Sequence, residues 1–283
     1  MKFRVSAVQY QLKTIQSFKD FAKQCDHYIK SALEFDSDFI VFPEFFTTQL
    51  LSMKKHGLKQ TINDLPSYTE QYEELFQKLA KKYDVHILAG THVIEVNGQL
   101  RNTAYLFDPK GEIMRQEKLH ITPAEIRAWN MAKGEELKVF DTPFGKIAIL
   151  TCYDIEFPEI VRMARARGAD VIFCPSCTDN QHGYERVRYS CHARAIENQV
   201  YVVLSGTVGS LTNVDFMRAN FSQAAIITPN DIPFPPRGVL AEGVTNSDMV
   251  VTADLDLSLL NEIRKNGSVT TWRDRRTDLY TDW

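Results

Sequence analysis

Long apolar runs are missing from this chain. Nothing approaches the roughly 20 consecutive apolar residues that span a bilayer, and the N-terminus, MKFRVSAVQYQLKTI, alternates polar and apolar residues where a signal peptide would carry a continuous apolar stretch. The protein is therefore expected to be soluble and cytoplasmic. A basic excess is missing too: 33 Lys and Arg stand against 36 Asp and Glu, a formal net charge of -3, so no positive field draws a phosphate backbone and no nucleic-acid partner is expected. Cysteine is scarce and odd in number, five in 283 residues, which suits a reducing compartment and leaves each thiol free for chemistry or burial. The 13 Gly and 11 Pro are scattered, with no linker-like cluster and no internal repeat. Residues 1–283 are thus expected to form one domain.

What is present is an alternation of short β-rich runs and amphipathic stretches. KFRVSAVQ, a helical stretch over residues 18–35 and DFIVF make a βαβ opening. A second helix is expected over 66–83, with Tyr68, Tyr72, Leu75, Phe76 and Leu79 on one stripe, followed by the strand VHILAG. Residues 102–108 and 113–119 flank the turn Asp108-Pro109-Lys110-Gly111, and LKVFDT pairs with KIAILTC across Pro143-Phe144-Gly145, so antiparallel hairpins enter the sheet. Helices over 157–167 and 184–197 alternate with the strands DVIFCP and VYVVLSG, and QAAIIT and DMVVTADL follow. The pattern reads as layered α/β packing with enough strands for two mixed β-sheets face to face.

Chemistry-bearing residues fall at three strand ends. DFIVF stops at Pro43 and delivers Glu44, where α/β clefts collect functional groups, although a loop carboxylate is ordinarily solvated. In EKLHITPAE a strand ends at Lys118 and Glu125 lies seven positions on, past Thr122-Pro123. KIAILTCYDIEFPE runs an apolar strand into Cys152 and a helix beginning near Pro158; a thiol on such a turn is exposed to substrate, whereas most cysteines are buried structural residues. An acid, a cation and a thiol at successive strand ends are expected to converge on one pocket.

These blocks, FPEFF around Glu44, EKLHITPAE around Lys118 and CYDIEFPE around Cys152, resemble the signature blocks of the nitrilase (carbon-nitrogen hydrolase) superfamily, in order and at similar separations. The resemblance covers nearly the whole chain, from VSAVQ to RRTDLY. It implies a four-layer αββα sandwich, a Glu44-Lys118-Cys152 triad, a second glutamate matched by Glu125, and no metal or organic cofactor. ARAIENQVYVV also resembles a family block, in which Arg194, Glu197 and Asn198 support the site. Tyr153, Glu156, Cys177 and Arg194 are expected around the substrate. On this reading Glu44 accepts the thiol proton, Lys118 and the Tyr153 backbone N–H receive the oxyanion, and Glu125 holds Lys118 or the substrate nitrogen. The reaction is hydrolysis of a small linear amide through a Cys thioester, releasing ammonia or an amine.

Nitrilases and N-carbamoyl hydrolases share the triad, but CYD, where nitrilases proper have CWE, is similar to an amidase branch. A zinc-binding or thiol redox module is the reading of another class, because Cys174 and Cys177 form a CxxC with His182, Cys191 and His192 nearby. Cys174 ends an apolar strand and Cys191 falls in an expected helix, which is poor context for a zinc site. Glu156 stands where amidases resembling this chain carry arginine, so carboxylated amides are expected to be disfavoured unless Glu156 pairs with Arg162 or another cation. A homodimer or higher homo-oligomer is expected, with the tail of about 266–283 in its contacts.

Overall fold

The computed structural model describes residues 1–53 and 57–280. Among these residues twelve strands and six α-helices follow in order: β1 (Lys2–Leu12), α1 (Phe18–Leu33), β2 (Phe39–Val41), α2 (Thr69–Tyr83), β3 (His86–Val96), β4 (Gln99–Phe107), β5 (Ile113–Glu117), α3 (Pro123–Trp129), β6 (Val139–Thr142), β7 (Gly145–Ile149), α4 (Pro158–Ala166), β8 (Val171–Ser176), α5 (Gln181–Asn198), β9 (Tyr201–Gly209), β10 (Ala225–Ile227), β11 (Val239–Glu242), β12 (Met249–Asp256) and α6 (Leu257–Asn266). Both hairpins read from the sequence are present, as β4–β5 and β6–β7. VHILAG does not stop at Gly90: β3 continues through a bulge to Val96 and turns at Asn97-Gly98 into β4. Strand β11 and the short α3 lay outside the sequence reading, since neither four half-buried residues nor seven residues after a proline carry a full period.

The strands form one continuous twelve-stranded network that divides into two six-stranded sheets, β12-β1-β2-β3-β4-β5 and β6-β7-β8-β9-β10-β11. They join where Gln9, Tyr10, Gln11 and Leu12 run parallel to Gly206, Thr207, Val208 and Gly209.

Side-chain alternation explains the layering. In β1, Val8, Tyr10 and Leu12 face α1 and α2, while Phe3, Val5 and Ala7 face the other sheet. In β8 and β9, Ile172, Cys174, Val202 and Leu204 face α4 and α5, while Val171, Phe173, Tyr201 and Val203 face inward. Period-two strands apolar on both faces must be covered on both faces. The result is three apolar interfaces, helix on sheet, sheet on sheet and sheet on helix, in the four-layer αββα order. Each fully buried aliphatic or aromatic side chain contributes roughly 1.5–3 kcal/mol, and the helices fit because their stripes match: Phe21, Cys25, Tyr28, Ile29 and Ala32 on α1, and Tyr72, Phe76, Leu79 and Ala80 on α2. Ser17 and Asp20 close a capping box that starts α1.

Candidate active site

Glu44 is held by the bulge in β3. Gly90, at φ +55°, lets the two backbones approach so closely that a Cβ there would lie 2.0 Å from the Pro43 carbonyl oxygen. The next residue, Thr91, accepts a hydrogen bond on its hydroxyl from the Phe45 N–H at 3.0 Å. The segment Pro43-Glu44-Phe45 is thereby gripped from one side and turned, with Phe45 at φ +54°, so that Glu44 points inward at 1 % exposure.

Lys118 follows β5 and is 2 % exposed. A lysine at a strand end is ordinarily solvated, and this one is buried because two carboxylates meet it: Nζ donates to Glu44 Oε1 at 2.8 Å and to both carboxylate oxygens of Glu125 at 2.9 Å. Glu125 is the third residue of α3, and it also closes that helix's capping box, accepting from the Thr122 N–H at 2.8 Å and the Thr122 hydroxyl at 2.7 Å. Asn102 in β4 adds a second donor to Glu44 Oε1 at 2.9 Å, and its backbone carbonyl accepts from the Lys118 N–H at 2.8 Å.

Cys152 begins a 3₁₀ turn, Cys152–Glu156, directly after β7. Its φ of +48° is left-handed backbone, which a non-glycine residue keeps only where the surroundings enforce it, and such residues concentrate at functional sites. The enforcement comes from Asp154, fully buried, which accepts from the Thr151 N–H at 3.1 Å, the His120 N–H at 2.7 Å and His120 Nδ1 at 2.8 Å. One carboxylate thus ties the Cys152 turn to the segment after Lys118. The sequence expectation of an exposed thiol is corrected: Cys152 is 6 % exposed and packs among Leu150, Ile155 and Cys174, meeting the outside only through a cavity. The Ser176 hydroxyl donates to its sulfur at 3.3 Å.

Three ionisable side chains share one positive charge, and their proton affinities follow. Burial works against charge on Lys118, but Glu44 and Glu125 overcome it and hold its pKa well above the ordinary lysine value. Burial raises Glu125 as well, yet Lys118 and the Thr122 donors outweigh it and leave Glu125 below the ordinary range. One ammonium cannot fully neutralise two buried carboxylates, so the one with poorer donors carries the penalty: burial first, with the nearby Glu125 charge, lifts Glu44 to about 7 against the pull of Lys118. Burial and the Glu44 charge push the Cys152 thiol well up. The pair is thus a thiol of raised pKa beside a carboxylate whose own pKa burial has raised.

The four groups open onto a cavity of about 560 Å3, which Tyr153, Glu156 and Cys177 also line. Cys177 donates its backbone N–H to Glu44 Oε2 at 3.0 Å. Arg194 does not line the cavity. From α5 it donates to the Ile155 carbonyl at 3.0 Å and the Glu156 carbonyl at 2.8 Å, so it braces the turn after Cys152 from outside the cavity. Glu156 is not an unopposed anion: Arg186 Nε stands 3.6 Å from its carboxylate, while Arg162 pairs with Glu197 at 3.3 Å. Cys174 and Cys177 face different ways. Cys174 is fully buried, its pKa pushed well up by burial and by Cys191, whereas the Cys177 sulfur reaches Asn220 Oδ1 at 3.4 Å. Among the described residues no group of three or more His, Cys, Asp or Glu is arranged to hold a metal ion, and no helix is long and apolar enough to cross a membrane. Asn102 and Asp154 are two further residues that tie these segments together. Neither position has a local pattern that announces its partners, which are 58 and 34 residues away.

The family model described as carbon-nitrogen hydrolase matches residues 4–265. The chain is 46% identical over 278 residues to the probable hydrolase YhcX of Bacillus subtilis (strain 168), covering 98% of this chain and 54% of that protein, about half its length. It is 27% identical over 292 residues to omega-amidase NIT2 of Xenopus tropicalis, covering 99% and 97% of the two chains. The crystal structure of a carbon-nitrogen hydrolase from Helicobacter pylori G27 shares the fold, with a TM-score of 0.82 at 20% identity, covering 99% of this chain and 97% of that one.

Proposed function

The chain belongs to the carbon-nitrogen hydrolase family, and from that premise we propose that it cleaves the C–N bond of a small linear amide through a Cys152 thioester, releasing ammonia or an amine. The observation that carries this reading is the buried ammonium of Lys118, bridging Glu44 and Glu125 beside a thiol on a strained turn. As the amide carbonyl reaches Cys152, Glu44 takes the thiol proton while sulfur bonds to carbon, so the poorly acidic thiol never has to ionise in advance. The charge that develops on the carbonyl oxygen is met by Lys118 and the backbone N–H of Tyr153. Glu44 then returns the proton to the departing nitrogen. A water that gives its proton to Glu44 attacks the thioester, and the acid leaves with Cys152 restored. Glu125 keeps Lys118 charged and aimed throughout.

The similarity to an omega-amidase supports amides over nitriles and N-carbamoyl compounds as the substrate class. Ammonia release from a panel of all three, with mass spectrometry of the protein after brief exposure to a turned-over substrate, tests the proposal. The expected result is ammonia from amides and an acyl adduct on Cys152 that Cys152→Ala lacks. An adduct on Cys174 or Cys177, or full turnover by Cys152→Ala, overturns it.

A further inference from the structure

Resting on that reading of the site, we infer that the substrate's acyl part bears an aryl group, seated on an aromatic wall that runs from Glu44 to the cavity mouth. Three rings make the wall, and all three line the cavity. Phe45, adjoining Glu44, meets Trp129 edge to face at 5.3 Å, and Trp129 meets Phe216 edge to face at 5.6 Å. Lys118 Nζ lies 5.8 Å from the Phe45 ring centre, so the wall starts at the reacting atoms.

The outer ring occupies an unfavourable position unless something covers it. Phe216 is 60% exposed, and its φ of +65° is a conformation that a side-chain-bearing residue adopts only at a cost. A two- or three-carbon amide in a cavity of about 560 Å3 would leave this wall wet. Behind Trp129 and Phe216 lies a second hollow of about 210 Å3, which both rings also line, so the partition has room to adjust to a longer acyl chain. Charge around the cavity gives no reason for a charged acyl group: Arg186 is opposed by Glu156, and the exposed cation Arg127 is offset on the lining by the exposed anion Asp179. A neutral ring stacked or edge-packed on the wall fits both the geometry and the charge balance.

The experiment compares kcat/KM for 3-phenylpropionamide, propionamide and glutaramate in wild type, Trp129→Ala and Phe216→Ala. The aryl amide is expected to exceed propionamide by roughly tenfold or more in wild type, and each variant is expected to pull that ratio toward one. The ratio is read because it is insensitive to a general loss of folded enzyme. Propionamide or glutaramate equal to or better than the aryl amide, with ammonia still released, overturns this inference and leaves the amidase reading intact. No ammonia from any amide sinks the amidase reading instead. The wall is then read by binding alone, from the tryptophan fluorescence of Cys152→Ala titrated with each amide, with Trp129→Phe as the reporter control. Tighter binding of the aryl amide supports the wall, and equal binding overturns it.

Discussion

The two sheets are built to one plan and filled with different chemistry. Read from the edge, neighbours in each run antiparallel, parallel, parallel, antiparallel, antiparallel. The third strand of the first sheet, β2, leads to Glu44, and the third strand of the second, β8, leads to Cys177; these two ends meet in the hydrogen bond from the Cys177 N–H to Glu44. The first sheet's strand ends supply the charge, Glu44 and Lys118, with Glu125 just beyond. The second supplies the thiol. A matched fold therefore does not carry matched side chains: the candidate site exists only at the seam, where the charged half and the thiol half are brought together, with Cys152 itself packed into an apolar layer.

Removing the cation should break the comparison hardest. Lys118→Met leaves two buried carboxylates unpaired, and loss of one partner of such a set costs about 3–5 kcal/mol, with turnover abolished. The sign with pH follows from the carboxylates. With Lys118 gone, burial raises both carboxylates above their unfolded pKa, so the variant loses stability as pH rises above the ordinary glutamate value of about 4.3. Urea denaturation at several pH values checks this, and a pH-independent deficit would show that the pairing is not what stabilises the seam.

Glu44→Gln should leave the fold nearly untouched, since Lys118 keeps Glu125, while lowering kcat by about 10²–10⁴. In wild type, activity should rise with pH through about 7 as Glu44 loses its proton and becomes a base. That limb should be absent from the residual activity of the variant. A limb that survives would assign the titration to another group.

Gly90→Ala tests whether the bulge positions the acid. Its Cβ would strike the Pro43 carbonyl oxygen, and the expected effect is a loss of roughly 2–3 kcal/mol in stability with kcat down about 10- to 100-fold, as a misplaced catalytic group costs. Thermal melts and steady-state kinetics on the folded fraction separate the two.

The smallest change sharpens the picture at Asn102. Asn102→Leu removes a donor to the ionised form of Glu44, so the acid limb of the pH profile should move up, by about one pH unit for a hydrogen bond to a charged group. An unmoved limb would mean that Asn102 serves the fold alone.

Most strands, most helices and three of the four polar groups that meet at the cavity rest on a local signal in the sequence. Period-two alternation marks the strands, stripes mark α1 and α2, and a functional residue placed just past an apolar strand marks Glu44, Lys118 and Cys152. Glu125 was visible mainly through the resemblance; that it doubles as a helix cap shows only in three dimensions. Arg194, expected near substrate, instead meets the Ile155 and Glu156 carbonyls, and nothing in ARAIEN tells whether a guanidinium faces a cavity or the carbonyls of another turn.

By itself, then, the amino-acid order determined the layers, the strand ends and the kinds of group delivered there, because those depend on neighbours along the chain. Tertiary structure alone decided that Lys118 is buried, that burial raises the Glu44 pKa and that Glu156 is opposed by Arg186. Those outcomes depend on desolvation and on charges tens of residues apart, and proton affinity is a property of the surroundings rather than of the residue.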